Sequence, residues 1–125
     1  MLSPMNEPGV ILAVDRNPRN LALLSSYLER QGYRVRPVAS YEELDRALHG
    51  AGPPALALVD LAGFDGGIWE RCERLHAAGV PIIVVSPKQS ATTQQEGRLH
   101  GARAVLTRPL ILKQLLGLIQ GLSPG

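Results

Sequence analysis

Three stretches of the chain are apolar without a break, and each stops at a polar side chain: Val10 to Val14 before Asp15, Leu56 to Val59 before Asp60, and Val80 to Val85 before Ser86. Such runs predict strands buried on both faces of a sheet, because a strand with one wet face would alternate. Residues 33–38 do alternate, from Tyr33 to Val38, and predict an edge strand. Between these stretches the apolar spacing changes to that of helices. Asn17-Pro18 supplies an N-cap and a proline at the first helical position, opening a helix over 18–31 whose Leu21, Leu24 and Leu28 share one face and which Gly32 ends. Ser40 and Glu43 form a capping box for a helix over 41–48, broken by the stretch from Gly50 to Pro54. Helices over 68–78 and 93–100, closed by Gly79 and Gly101, a short strand over 104–107 and a last helix over 111–122 complete the pattern.

The predicted order is therefore β1 (10–14), α1 (18–31), β2 (33–38), α2 (41–48), β3 (56–60), α3 (68–78), β4 (80–85), α4 (93–100), β5 (104–107) and α5 (111–122). Strict alternation with short connections and right-handed crossovers predicts an α/β fold, a doubly wound five-stranded parallel sheet between two layers of helices. With β1, β3 and β4 the buried strands, the strand order is 2-1-3-4-5, and the switch point lies between β1 and β3. Ligands of such sheets bind beyond the carboxyl ends of the strands at that point. Asp15 and Asp60 end the two flanking strands, and Ser86 and Arg108 end the next two.

Asp60 read alone is equally a strand stop, since Asp starts many turns. The pair changes the picture. Two carboxylates facing one crevice resist joint ionisation unless a cation joins them, and oxygen ligands of this kind suit Mg²⁺. The loop from Leu61 to Gly67, with three glycines and Asp65, is of a kind that brings backbone groups close to a ligand.

Composition sets the outer limits. A chain of 125 residues is one domain's worth and buries about two-thirds of its unfolded surface. No apolar run approaches the roughly 18 residues of a membrane span, and residues 1–9 lack the basic and apolar regions of a secretory signal. They read as a disordered lead-in, residues 123–125 as a tail or the start of a linker, and the expected location is the cytoplasm. The single cysteine, Cys72, excludes an intrachain disulfide and reads as a small core filler. His49, His76 and His100 share no ligand spacing and are expected at the surface. The net charge of +2 is uneven: residues 86–125 carry Lys88, Arg98, Arg103, Arg108 and Lys113 against Glu96 alone. That basic third lacks the density and aromatic interleaving of a nucleic-acid surface, so an acidic protein partner or plain solvation is expected instead, with no direct nucleic-acid or membrane partner. A cofactor binder or small hydrolase on the same fold is disfavoured. No Gly-rich phosphate loop follows β1, where Arg16-Asn17-Pro18-Arg19 stands, and no G-x-S-x-G elbow occurs.

The ordered set of strand ends resembles the receiver domain of bacterial two-component response regulators, over residues 10–122. Ile11-Leu12-Ala13-Val14-Asp15 resembles the acid-bearing β1, Leu58-Val59-Asp60-Leu61 the phosphoacceptor strand, Val84-Val85-Ser86 the Ser/Thr switch position, and Thr107-Arg108-Pro109-Leu110 the Lys-Pro-Phe signature. The resemblance implies a flavodoxin-like (βα)5 domain and a signalling module rather than an enzyme, with at most self-phosphorylation and dephosphorylation chemistry. It implies phosphorylation of Asp60 by a histidine kinase. It also implies Mg²⁺ held by Asp15, Asp60 and the Ala62 carbonyl, with the Ser86 hydroxyl and the cation at position 108 on the phosphoryl oxygens. Implied partners are a histidine kinase or other signalling protein, a second copy through α4-β5-α5, and an output domain if the chain is part of a longer one.

Four departures from the family pattern stand out, the last of them on the output face. Arg16 stands where a second metal-binding acid belongs, which weakens the metal site. Arg108 replaces the lysine with a planar fork that is not equivalent at a tight site. The loop Ala62-Gly63-Phe64-Asp65-Gly66 is about two residues shorter than the family's. Val105 replaces the rotameric aromatic of β5, and Pro87 stiffens the loop after Ser86. These departures lead to the expectation that Arg16 or Arg108 pairs with Asp60, giving a pocket satisfied without phosphate and a domain that works through protein contacts. The alternative is a working receiver phosphorylated on Asp60.

Overall fold

The computed structural model describes residues 9–122 apart from residue 51, so the lead-in over 1–8 and the tail over 123–125 lie outside the described residues. Ten elements alternate: β1 Val10–Val14, α1 Pro18–Arg30, β2 Arg34–Val38, α2 Tyr41–Leu48, β3 Leu56–Asp60, α3 Gly67–Ala77, β4 Ile82–Ser86, α4 Ala91–Leu99, β5 Ala102–Thr107 and α5 Leu112–Leu122. The five strands are parallel in the order 2-1-3-4-5, as the apolar runs imply. β3 and β4 are buried along their whole length, and β2 and β5 form the edges.

Local chemistry sets the boundaries. The Asn17 side chain accepts from the backbone of Arg19 and Asn20, and Pro18 stands at the first helical position, so α1 starts where its sequence says. It stops at Gly32, whose φ of +96° is cheap only for glycine. Ser40 Oγ accepts from Glu43 N, while the Glu43 carboxylate reaches one residue further back than a standard box, to Ala39 N at 2.7 Å. Two helices begin earlier than their apolar spacing predicts. α4 opens at Ala91 because Ser90 Oγ accepts from Thr93 N. α3 opens at Gly67 because the Asp65 carboxylate accepts from Gly67 N and is fixed by the Tyr41 hydroxyl at 2.6 Å. β5 also starts earlier, at Ala102, through a register irregularity opposite Ile82 and Ile83.

Side-chain alternation divides the core into two layers. Leu12 and Val14, Ala57 and Val59, and Ile82 and Val84 face Leu44 of α2 and Ile68, Cys72 and Leu75 of α3. Ile11, Leu56, Leu58, Ile83 and Val85 face Leu28 of α1 and Leu115 and Ile119 of α5. Each fully buried leucine of this kind contributes about 2 kcal/mol of apolar transfer free energy. Cys72 is the core filler expected, and burial pushes its thiol up to about 12.

α4 is held differently. Its one buried residue is Gly97, and a Cβ there would stand 2.7 Å from Val105 Cγ2, so the helix backbone rests directly on that side chain. His49 and His76 are exposed as expected, but His100 is not a free surface residue. It stacks on Trp69 at 5.3 Å with Nδ1 2.5 Å from Glu73 and Nε2 3.2 Å from Glu96, tying α4 to α3. No helix of the described residues is long and apolar enough to cross a membrane.

Candidate functional site

The alternation that divides the core also selects the site. Asp60 continues the series Leu56, Leu58; Asp15 continues Ile11, Ala13; and Arg108 continues Ala104, Leu106. All three fall on the α1/α5 side of the sheet at the carboxyl ends of β1, β3 and β5. Backbone ladders hold them there, since Asp15 N donates to Val38 O and Arg108 N donates to Ser86 O. The Arg108–Pro109 peptide is cis.

In this crevice Arg108 Nη2 donates to Asp60 Oδ2 and lies 3.7 Å from Asp15 Oδ2. The two carboxylates are nearly sealed, with side chains 8% and 6% exposed, whereas the arginine retains 34%. Each acid also accepts one backbone hydrogen bond: Asp15 Oδ1 from Asn17 N at 2.8 Å, and Asp60 Oδ1 from Ala62 N at 2.9 Å. Burial is the main cause that raises the Asp15 pKa above the ordinary aspartate value. The Asn17 amide pulls it down, the Asp60 carboxylate adds to the rise, and Arg108 offsets part of it. Arg108 Nε is buried with no hydrogen-bond acceptor.

Of the two arginines that could pair with Asp60, the structure uses Arg108. Arg16 is exposed, with its guanidinium 5.6 Å from the centre of the Phe64 ring and its stem against Gly63, whose φ is +82°. It follows Asp15 by one residue, and the alternation turns it away from the crevice. Phe64 in turn packs on Tyr41 at 5.1 Å, and Arg71 lies 4.0 Å over the Tyr41 ring. The short loop after Asp60 is therefore anchored to α2 and α3, with Asp65 spent on Tyr41 and the start of α3. Burial and the Asp65 carboxylate push the Tyr41 phenol up to about 12.

Ser86 is buried, but it belongs to the opposite series, Ile82 and Val84, and its hydroxyl donates to Lys88 O at 2.6 Å across Pro87. The structure thus brings together Asp15, Asp60, the Ala62 amide and Arg108, and ties Ser86 to its own loop. Arg108 is also lost from the basic surface, leaving Lys88, Arg98, Arg103 and Lys113 exposed.

A divalent cation fits this donor set poorly. Among the described residues no three acidic, histidine or cysteine side chains converge on a metal position. Only two carboxylates face the crevice, a cation replaces the acid at position 16, and a guanidinium already stands between the two that remain.

No family model matches the chain. Over 116 residues it is 33% identical to the transcriptional regulatory protein TcrA of Mycobacterium tuberculosis, covering 90% of this chain and 45% of that protein. Over 119 residues it is 28% identical to protein PilH of Pseudomonas aeruginosa, covering 92% of this chain and 98% of that one. The CheY-like receiver domain protein of Methanospirillum hungatei superposes with a TM-score of 0.81 at 27% identity, over 91% of this chain and 92% of the other. The chain spans less than half the length of TcrA and nearly all of the two smaller proteins. Fold, strand ends and these likenesses are those of a response-regulator receiver domain.

Proposed function

We propose that this is an atypical receiver, a signalling module whose crevice is neutralised by its own Arg108 and whose activity has weak or no dependence on phosphate. The observation that carries the reading is the Arg108 guanidinium bound to Asp60 with Asp15 3.7 Å away. It supplies from a side chain the positive charge that a divalent ion brings to the pocket of ordinary receivers. The bond from Ser86 to Lys88 O agrees with this, because the hydroxyl is engaged without a phosphoryl group.

The domain would then act from the cytoplasm through protein contacts. The α4-β5-α5 face offers exposed Arg98, Arg103 and Lys113 beside Leu99, which is 72% exposed. This suits an acidic signalling partner, a histidine kinase among them, or a second copy of the chain. TcrA is a transcriptional regulator more than twice as long as the matched region, so an output domain elsewhere in the same polypeptide is a natural recipient of the signal.

A second reading has its own observation: Asp60 and Asp15 both survive at the switch point. In it, Asp60 takes a phosphoryl group from a phosphohistidine after Arg108 withdraws. Beryllofluoride, a phosphoryl mimic, separates the two. With millimolar Mg²⁺ the wild type is expected to bind none, matching Asp60→Asn, and intact mass after incubation with acetyl phosphate stays unchanged. Saturable binding that needs both Mg²⁺ and Asp60 would establish the second reading instead.

A further inference from the structure

α4 brings little apolar surface to the sheet. Gly97 is its one buried residue, Leu99 is left 72% exposed, and Gln94 Nε2 adds only a long contact to Val105 O at 3.4 Å. An element that buries so little opens at small free-energy cost, so single contacts at its ends weigh heavily. His100, the C-cap residue of α4, makes such a contact.

Its imidazole bridges two helices. From α3, Glu73 Oε2 lies 2.5 Å from Nδ1 and the Trp69 ring stacks on the imidazole at 5.3 Å and 18°; from α4, Glu96 Oε2 lies 3.2 Å from Nε2. His76 of α3 reaches the next residue, because a Cβ on Gly101, whose φ is +99°, would stand 2.5 Å from its ring. The cations nearby are turned elsewhere: Arg74 stands 3.6 Å from Asp45, and Arg98 and Arg103 are exposed. Each ring nitrogen of His100 thus faces a carboxylate. A neutral imidazole has one N–H and can donate to only one of them, whereas the imidazolium donates to both. Its positive charge also suits the negative end of the α4 dipole. The imidazole is 24% exposed, and Glu73 and Glu96 are 57% and 42% exposed, so the bridge is weak enough to open.

We propose that His100 is a protonation-dependent latch: charged, it fastens the C-terminal end of α4 to α3; neutral, it gives up one carboxylate and α4 loosens. Histidine changes charge within about pH 5 to 8, so the latch answers the physiological range. α4 carries Arg98 and Leu99, so the latch also sets how the contact face is presented. That consequence, unlike the latch itself, rests on the reading of α4-β5-α5 as the docking surface.

Trp69 is the one tryptophan of the chain and reports on the ring stacked against it. Its emission is followed on the full chain from about pH 5 to about pH 8, with hydrogen exchange over residues 91–99, corrected for intrinsic rate, at both ends of the range. One emission transition is expected, with α4 protection about threefold lower at the alkaline end, the factor of one exposed ion pair. His100→Gln, which stays polar but cannot titrate, should remove the transition and hold protection at the lower value throughout. Glu73→Gln should keep the transition and move its midpoint down by roughly half a pH unit. The control His76→Gln should change neither. No transition in the wild type, one that survives His100→Gln or is lost in His76→Gln, an unmoved midpoint in Glu73→Gln, or emission that changes without α4 protection would each overturn the latch. The titration contains neither Mg²⁺ nor a phosphoryl donor. Its failure therefore refutes the latch and leaves the Arg108 reading standing, whereas Asp60-dependent beryllofluoride uptake refutes that reading and leaves the latch.

Discussion

Two acid–arginine clusters stand on opposite sides of the sheet and look alike in outline. On the α1/α5 side Arg108 joins Asp60 and Asp15; on the other Arg71 forks onto Asp45, with Nε to Oδ1 at 3.1 Å and Nη2 to Oδ2 at 3.0 Å, and Arg74 stands 3.6 Å away. In the first, one cation serves two sealed acids. In the second, two cations serve one acid whose side chain is 35% exposed. The electrostatic signs are therefore opposite: burial raises the Asp15 pKa, while the hydrogen bond from Arg71, the largest cause, lowers that of Asp45. Charge pairs of similar geometry differ in consequence because water reaches one and not the other.

Removing the cation from each cluster should expose that difference most. Arg108→Met leaves two buried carboxylates unpaired and is expected to cost about 3–5 kcal/mol in urea unfolding at neutral pH, with part recovered as pH falls and Asp15, whose pKa burial raises, takes up its proton. A loss below about 1 kcal/mol would mean that water or an ion already compensates the acids.

Asp15→Asn should do the reverse. Because the folded state raises the Asp15 pKa, it binds that proton more tightly than the unfolded chain. The contribution of Asp15 is thus fully favourable below the ordinary aspartate value of 3.8 and is lost as pH rises through the raised value. The amide keeps an acceptor for Asn17 N without the buried charge, so a gain of about 1 kcal/mol at pH 7 is expected. Thermal melts should show the gap closing toward the acid range.

Asp45→Ala is expected to cost only about 0.2–1 kcal/mol, and about 1 M salt should erase much of it. Its pH dependence has the other sign: the lowered pKa stabilises the fold above the ordinary value and ceases to do so as pH falls through the folded one. Arg16→Ala should be smallest, within about 0.5 kcal/mol of wild type, since its guanidinium lies over the Phe64 ring at an exposed position. A larger gain in acetyl-phosphate labelling or Mg²⁺ binding on removing Arg16 than on removing Arg108 would reverse the roles of the two arginines.

The fold was legible because three buried strands announce themselves as unbroken apolar runs and each ends on a polar residue. The site was legible as a set of strand ends, yet the choice between Arg16 and Arg108 was not made. The deciding signal lay in the same sequence. Counting by twos from Leu58, Ile11 and Leu106 puts Asp60, Asp15 and Arg108 on one face, and puts Arg16 and Ser86 on the other. What alternation could not supply were contacts made across elements. The cap of α3 depends on Tyr41, and the setting of His100 depends on Trp69 and Glu73.

The central claim is that Arg108 holds the place of a metal ion. The most direct measurement is a Mg²⁺ titration of the wild type and Arg108→Met in parallel, read at the amides of Asn17 and Ala62. The account predicts no saturable shift in the wild type up to about 10 mM, a binding free energy no better than roughly −3 kcal/mol, and measurable binding once the guanidinium is gone. Saturation of the wild type at lower concentration, with no gain in the variant, would contradict it.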